Sequence, residues 1–310
     1  MTQTQASTPT STEGVLSASH LVKDFRLRSG LRTTPVHAVK DVSFDLVRGR
    51  TVALVGESGS GKSTIARIIA KLETPTSGQV LLDGAPTATR GRALAEYRRR
   101  VQMVFQDPFA SLNPFHSVAH HVERPVRIHH PELTSAQVAE RVRDLLDRVQ
   151  LSPADRFSSR RPHELSGGQR QRVAIARALA PGAQYVVADE PVSMLDVSIR
   201  LGVLNLLADL QREQHLGVLY ITHDLATARH FSDELLVMYR GDVVERGPAD
   251  DVILRPQHEY TRALREAAAD PDRLGQLREE VRRSLGALDG TAPSSATSAE
   301  TSTRTRSTTS

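Results

Sequence analysis

Apolar positions along the chain follow two rhythms, and each predicts an element. Val39, Val42, Phe44 and Leu46 alternate with polar residues ahead of Arg48-Gly49-Arg50, inside a β-like region that runs from residue 16 to about 55. Thr51-Val52-Ala53-Leu54-Val55 is a short run rich in β-branched residues and predicts a strand. Behind it, Ile65, Ile68, Ile69 and Leu72 share one face at helical spacing. Thr74-Pro75-Thr76-Ser77-Gly78 reads as a turn, and residues 79–82 as a hairpin arm closed by Asp83-Gly84. Val101 to Phe105 predicts a buried strand that ends on Gln106, and Pro108 opens a loop.

The rhythm then turns helical. Thr134 and Gln137 form a capping box ahead of the stripe Val138, Val142, Leu145, Leu146 and Val149. Leu165-Ser166-Gly167-Gly168-Gln169 opens another helix, with Arg170, Arg172, Ile175, Ala178 and Leu179 behind it and N-cap and N3 spacing at Ser166 and Gln169. Tyr185-Val186-Val187-Ala188 is an apolar strand that stops at two carboxylates, Asp189 and Glu190. A helix striped by Ile199, Val203, Leu207 and Leu210 follows, and then a strand from Leu219 that ends in Thr222-His223-Asp224. Residues 235–239 and 242–245 flank Arg240-Gly241 as a terminal hairpin, and a helix is expected near 261–268.

Composition narrows the class. A chain of 310 residues can bury a sizeable core as one large or two smaller domains. Absence of cysteine excludes disulfides, a thiol nucleophile and cysteine-ligated clusters, and permits a reducing compartment. A net charge of +4 with dispersed arginines gives no electrostatic footprint for nucleic acid, so none is expected as a partner. Apolar runs fall well short of the ~20 residues of a spanning helix, and the polar N-terminus has no signal-peptide core. The expectation is a soluble, cytosolic protein that meets a membrane only through a partner. Residues 1–14 and 291–310 are Ser/Thr-rich and expected to be disordered tails. Leu274, Leu277, Val281 and Leu285 mark an Arg-rich amphipathic extension over 271–290, read as a solvated helix. His116, His120, His121, His129 and His130 lie together, but without a ligand pair in a well-marked helix or a nearby acidic cluster; they are read as a solvated surface and not as a metal site.

The candidate chemistry centres on Gly56-Glu57-Ser58-Gly59-Ser60-Gly61-Lys62-Ser63-Thr64. It sits between the strand and the first helix and fits G-x-x-x-x-G-K-[S/T]. The glycines allow positive φ and close approach of main chain to ligand. Successive N–H groups then make an anion nest at the positive end of a helix. Lys62 adds a charge that reaches β- and γ-phosphates, and the Ser63 hydroxyl is a ligand for Mg²⁺. Two adjacent acids at a buried strand end, Asp189 and Glu190, are costly unless they meet a cation or do chemistry. Phe25 offers either a surface for an adenine ring to stack on or ordinary strand core. The 165–169 pentapeptide either receives an anion or simply starts a helix.

These motifs, in this order, resemble the ATP-binding subunit of ABC transporters: the phosphate loop 56–63, a Q-loop at Gln106, a signature at 165–169, Asp189-Glu190, a D-loop at 193–196 and a switch histidine at His223. The resemblance runs from about residue 21 to 264. It implies an α/β fold: a P-loop NTPase (RecA-like) core with an antiparallel β subdomain and a helical signature subdomain over about 109–180, the whole cassette filling 15–270. No internal repeat is visible, so one nucleotide module is expected. Gln106-Asp107-Pro108-Phe109-Ala110-Ser111-Leu112-Asn113-Pro114, Glu190-Pro191-Val192-Ser193-Met194-Leu195-Asp196-Val197-Ser198 and Pro256-Gln257-His258-Glu259-Tyr260-Thr261 are similar to the oligopeptide/dipeptide importer group. Pro162-His163-Glu164 ahead of the signature is closer to its second, "F"-type ATPase. Importers of nickel or other solutes share these phrases, and a soluble, non-transport ABC ATPase is the rival class.

The resemblance implies ATP as substrate and Mg²⁺ as cofactor, with hydrolysis driving solute uptake at the cytoplasmic face of the plasma membrane. ATP would lie on 56–64. Mg²⁺ would be held by Ser63 and Asp189 and sensed by Gln106. Glu190 would be the general base, and His223 would hold the γ-phosphate. Ser166, Gly167, Gly168 and Gln169 would serve the nucleotide of a second ATPase subunit, identical or related. Two transmembrane permease subunits would dock on Asp107 to Pro114 and the helices behind, and an extracellular solute-binding protein would act indirectly. Met194 and Thr222 depart mildly from the family pattern, where alanine and serine are usual. The C-terminal cysteine cluster of some relatives has no counterpart, so no iron–sulfur cluster is expected.

Overall fold

The computed structural model describes residues 14–29 and 32–269. The expected tails, apart from Gly14, and the 271–290 extension lie outside those residues. The chain opens with β1 (Val15–Ser29) and β2 (Arg32–Val47). It continues through β3 (Thr51–Gly56), α1 (Lys62–Ile69), β4 (Ser77–Leu82), β5 (Ala85–Pro86), α2 (Gly91–Arg100) and β6 (Val101–Val104). Five helices follow: α3 (Pro108–Ser111), α4 (Val118–His129), α5 (Ser135–Arg148), α6 (Ala154–Ser158) and α7 (Gly167–Leu179). The remainder alternates: β7 (Tyr185–Asp189), α8 (Val197–Gln214), β8 (Gly217–Thr222), α9 (Leu225–Phe231), β9 (Glu234–Tyr239), β10 (Asp242–Pro248), α10 (Ala249–Leu254) and α11 (Glu259–Ala269).

Two sheets result among the described residues. One is antiparallel, in the order β2-β1-β4-β5. The other runs β10-β9-β3-β8-β7-β6, parallel except for β10 at its edge. The parallel strands are continuous apolar runs because both faces are covered. Alternate residues go to opposite cores, as a two-residue side-chain period requires. Ala53, Val55, Val186, Ala188, Val218 and Tyr220 face a core built with α4, α5, α7 and α8. Val52, Leu54, Tyr185, Val187, Leu219 and Ile221 face α1 and the antiparallel sheet.

Val39, Val42, Phe44 and Leu46 are all buried although Val39 and Val42 are three apart. A register shift between the Leu21–Val42 and Lys23–Val39 pairs restores the facing. The α5 stripe is buried, and Thr134 and Gln137 form the expected reciprocal cap. Asp83 and Gly84 both take positive φ and close the β4–β5 hairpin.

Two expectations fail. Leu72 is 54% exposed and outside the core, because α1 stops at Ile69 and Lys71 turns left-handed (φ 56°), which swings the chain off the helical face. The histidines are not one solvated surface. His121 and His130 are buried, and their Nε2 atoms donate to the carbonyls of Asn113 and Pro181, each at 3.0 Å. His116 and His120 stack outside with ring centroids 4.1 Å apart. A histidine ring with one satisfied polar edge packs as a half-apolar plate, and the segment's helical spacing alone does not show which edge finds a carbonyl.

Candidate functional site

The turn between β3 and α1 is forced by its contacts. A Cβ on Gly56 (φ 151°) would lie 2.2 Å from the Met238 carbonyl oxygen, and one on Gly61 (φ 108°) would lie 2.2 Å from that of Ala38. Only hydrogen at these two positions lets the loop lie against β9 and β2. Gly61 is the N-cap of α1, and no side chain among the described residues caps that helix. Its first-turn N–H groups are therefore directed at the cavity, where they and the helix dipole favour an anion.

That cavity holds about 540 Å³. It is lined by Gly56, Glu57, Ser58, Gly59, Gly61, Lys62, Ser63 and Thr64 from the loop, and by Gln106, Glu190 and His223 from three other strand ends. Ser60 is buried beneath the loop. Lys62 is itself nearly buried, and its Nζ donates to the carbonyls of Gly56 (2.8 Å) and Glu57 (2.6 Å). Burial holds its ammonium below the usual lysine value, against the upward pull of Glu190, Asp189 and Glu57. An arriving phosphate would offset that desolvation by supplying negative charge.

The parallel register sets the rest. Asp189 is the last residue of β7, and its Oδ1 accepts from Ser63 Oγ at 3.0 Å. Burial raises the Asp189 pKa, and the Ser63 bond opposes the rise. Glu190 follows in a left-handed conformation (φ 44°), an uncommon state for a non-glycine residue, with its N–H bonded to the Ile221 carbonyl at 2.9 Å. Its Oε2 accepts from Gln106 Nε2 at 3.0 Å and lies 3.4 Å from His223 Nδ1. The His223 contact holds the Glu190 carboxyl below the usual carboxylate range, and in return Glu190 raises the imidazole pKa.

The residues fit a magnesium nucleotide. The nest is anion-shaped, and Ser63 and Asp189 offer converging hard oxygens. Among the described residues no group of three or more His, Asp or Glu could hold a metal alone. A divalent ion here would need phosphate oxygens and water to complete its shell, which suits Mg²⁺.

Other expected residues lie elsewhere. Phe25 is half-buried on β1, opposite Val36, with Lys23 Nζ 5.0 Å from its ring centroid, and does not line the cavity. Ser166, Gly167, Gly168 and Gln169 do not line it either. Ser166 caps α7 and is exposed, while Gly168 packs so closely on Ile199 that a Cβ would meet its Cγ2 at 2.5 Å. Sequence reading missed Ala38, Leu264, Ala267 and Ala268, all of which line the cavity. The last three share one face of α11, a spacing visible in the sequence but unassigned without a fold.

A glycine-rich loop clamped by its own lysine, an uncapped helix start and paired strand-end acids define a phosphate-binding site of the P-loop nucleotide class. A family model described as ABC transporter matches residues 39–193. The glutathione import ATP-binding protein of Pectobacterium atrosepticum is 47% identical over 284 residues, covering 89% of this chain and 45% of its own. The chain thus spans about half the length of such relatives. The oligopeptide transport ATP-binding protein of Bacillus subtilis is 45% identical, with 84% of each chain covered. Among solved structures, a dimeric ATP-binding cassette bound to ADP and Pi superposes with a TM-score of 0.66 at 31% identity, covering 76% of this chain and 98% of its own. A cassette of an ABC transporter complex from Clostridium perfringens gives 0.68 at 26% identity, covering 86% and 99%. The chain belongs to the ABC transporter family.

Proposed function

We propose that this chain is the ATP-hydrolysing subunit of an importer for short peptides. The observation that carries the reading is the convergence of Lys62, Gln106, Glu190 and His223 on one cavity. The cargo class is supported by the relatives, whose names refer to glutathione, oligopeptide and peptide import.

The loop 56–64 holds the phosphates of ATP, and Lys62 exchanges its carbonyl partners for them. Ser63 and Asp189 hold Mg²⁺, which when bound neutralises charge on the transferring phosphate. Glu190, kept ionised by His223, takes the proton as water attacks the γ-phosphorus and the bond to ADP breaks. His223, which lines the cavity beside Glu190, donates to the γ-phosphate. Gln106 orients the Glu190 carboxylate.

The signature residues 166–169 complete the nucleotide site of a second ATPase subunit, identical or related. That a related cassette is a dimer supports the pairing, and so does the absence of these residues from their own cavity. We assign the antiparallel sheet, the parallel core and the helices of about 109–180 as three working parts of one cassette within 15–270. Phe109 and Phe115 are 53% and 81% exposed, and Gln106, Asp107, Ala110, Ser111 and Arg177 line a cleft of about 620 Å³; a membrane subunit would dock on this segment. No helix among the described residues is long and apolar enough to cross a membrane. Attachment to the cytoplasmic face through permease subunits is part of this reading and is supported by the import ATP-binding relatives.

The test is uptake of a labelled oligopeptide into vesicles carrying the chain with its permeases and receptor. Uptake should need ATP and stop with Lys62→Ala. ATP-independent uptake, or none with intact subunits and any short peptide, overturns the reading.

A further inference from the structure

The 256–261 phrase has no part in the chemistry above, yet the structure ties it to the phosphate loop. Glu245 accepts from the N–H groups of Gln257 (2.7 Å) and His258 (3.0 Å), and His258 Nδ1 accepts from the Tyr260 N–H (3.1 Å), which pins the start of α11 to β10. Tyr260 is buried, its ring centroid 4.4 Å from that of Tyr239. Its hydroxyl accepts the Glu57 N–H at 3.0 Å. The Gly56–Glu57 peptide unit is thus gripped at both ends, its N–H by Tyr260 and its carbonyl by Lys62 at 2.8 Å. One and two helical turns further on, Leu264, Ala267 and Ala268 line the same cavity. Positions i, i+4, i+7 and i+8 lie on one helical face, so that whole face of α11 is turned towards the nucleotide site.

We propose that α11 is a wall of the nucleotide site and that Tyr260 is a positioning residue for the phosphate loop. By fixing the first peptide unit of the loop, Tyr260 holds the later N–H groups aimed at phosphate before ligand arrives, which lowers the ordering cost of binding. The small side chains of Ala267 and Ala268 leave room for the nucleotide, and Leu264 gives it an apolar contact. Position and occupancy of α11 are therefore coupled to ATP affinity, although the helix is more than 190 residues from the loop in sequence.

This inference rests on the cavity being an ATP site, so the experiment separates the two. A fluorescent ATP analogue with Mg²⁺ is titrated into the full chain and its variants, with unfolding temperatures recorded alongside. Binding by the wild type that Lys62→Ala abolishes supports the ATP reading; nucleotide binding that ignores Lys62 overturns it. Tyr260→Phe keeps the ring and removes the hydroxyl. It should weaken binding roughly three- to tenfold with the unfolding temperature nearly unchanged. Ala268 is exposed on the cavity side, so Ala268→Trp should fold and weaken binding roughly tenfold or more by occupying the site. Glu266→Trp, on the exposed face away from the cavity, should bind as the wild type does. If the wild type binds and Tyr260→Phe stays within twofold of it, the positioning role falls. If Ala268→Trp does so, the wall falls, whatever the stability of the tyrosine variant.

Discussion

Gln106 Nε2 donates to Glu190 Oε2 across 3.0 Å, joining the strand ends of β6 and β7 that the chain separates by 84 positions. The parallel pairing of Val104 with Ala188 puts the two residues at the same edge of the sheet. In the proposed role of general base Glu190 must be ionised and aimed, and this amide would contribute to the aiming.

Replacing Glu190 with glutamine keeps shape and removes the base. Nucleotide affinity should stay within a few-fold, while steady-state ATP hydrolysis should fall about 10²–10⁴-fold. A phosphate-release assay on the assembled transporter measures it, and near-normal turnover would take the base assignment away from Glu190.

Ser166→Arg separates the two halves of a site. Because Ser166 is exposed and does not line its own cavity, nucleotide binding by the isolated chain should be unaltered. Hydrolysis by the paired subunits should drop by about 10²-fold, the usual loss when a preorganised donor to a transferring group is removed. Loss of binding in the lone chain would place the signature in cis.

The loop glycines are not equivalent. Gly59→Ala meets no atom within 4 Å and bears only the left-handed strain of φ 82°, about 1–2 kcal/mol. Gly61→Ala adds a methyl 2.2 Å from the Ala38 carbonyl oxygen, so backbone must move. Urea unfolding should rank Gly61→Ala well below Gly59→Ala in stability, and equal midpoints would refute the contact.

Acid should loosen the helical part through His121. Burial is the main cause of its lowered pKa; the Asn113 carbonyl opposes the shift, and Arg177, His120 and His116 add to it. Since the folded value is below the unfolded value of about 6.5, the contribution is complete above that pH and is lost as pH falls through the folded pKa. The fall in unfolding temperature between pH 8 and pH 5.5 should shrink in His121→Gln. An unchanged difference would show that this ring does not carry the acid sensitivity.

The phosphate loop, the strand-end acids, the α5 and α7 caps and the two-faced strands were all legible in the chain, because each is a local device. Its signal is a spacing of two, three or four residues, or a residue type demanded by one backbone conformation. The end of α1 was not: nothing in Leu72 reveals that Lys71 turns left-handed one position earlier. Nor was the fate of His121 and His130, which depends on carbonyls of Asn113 and Pro181 that only packing brings within reach.

What the sequence determined by itself was which groups can carry charge, which glycines permit positive φ in the phosphate loop and which segments must be buried. Only the tertiary structure decided that Gln106, Glu190 and His223 meet over one loop, that Ser166 does not join them, and that Tyr260 reaches back to Glu57. Those relations are set by strand order and by how α11 packs on the sheet, through contacts between residues far apart in the chain, and no short-range pattern encodes them.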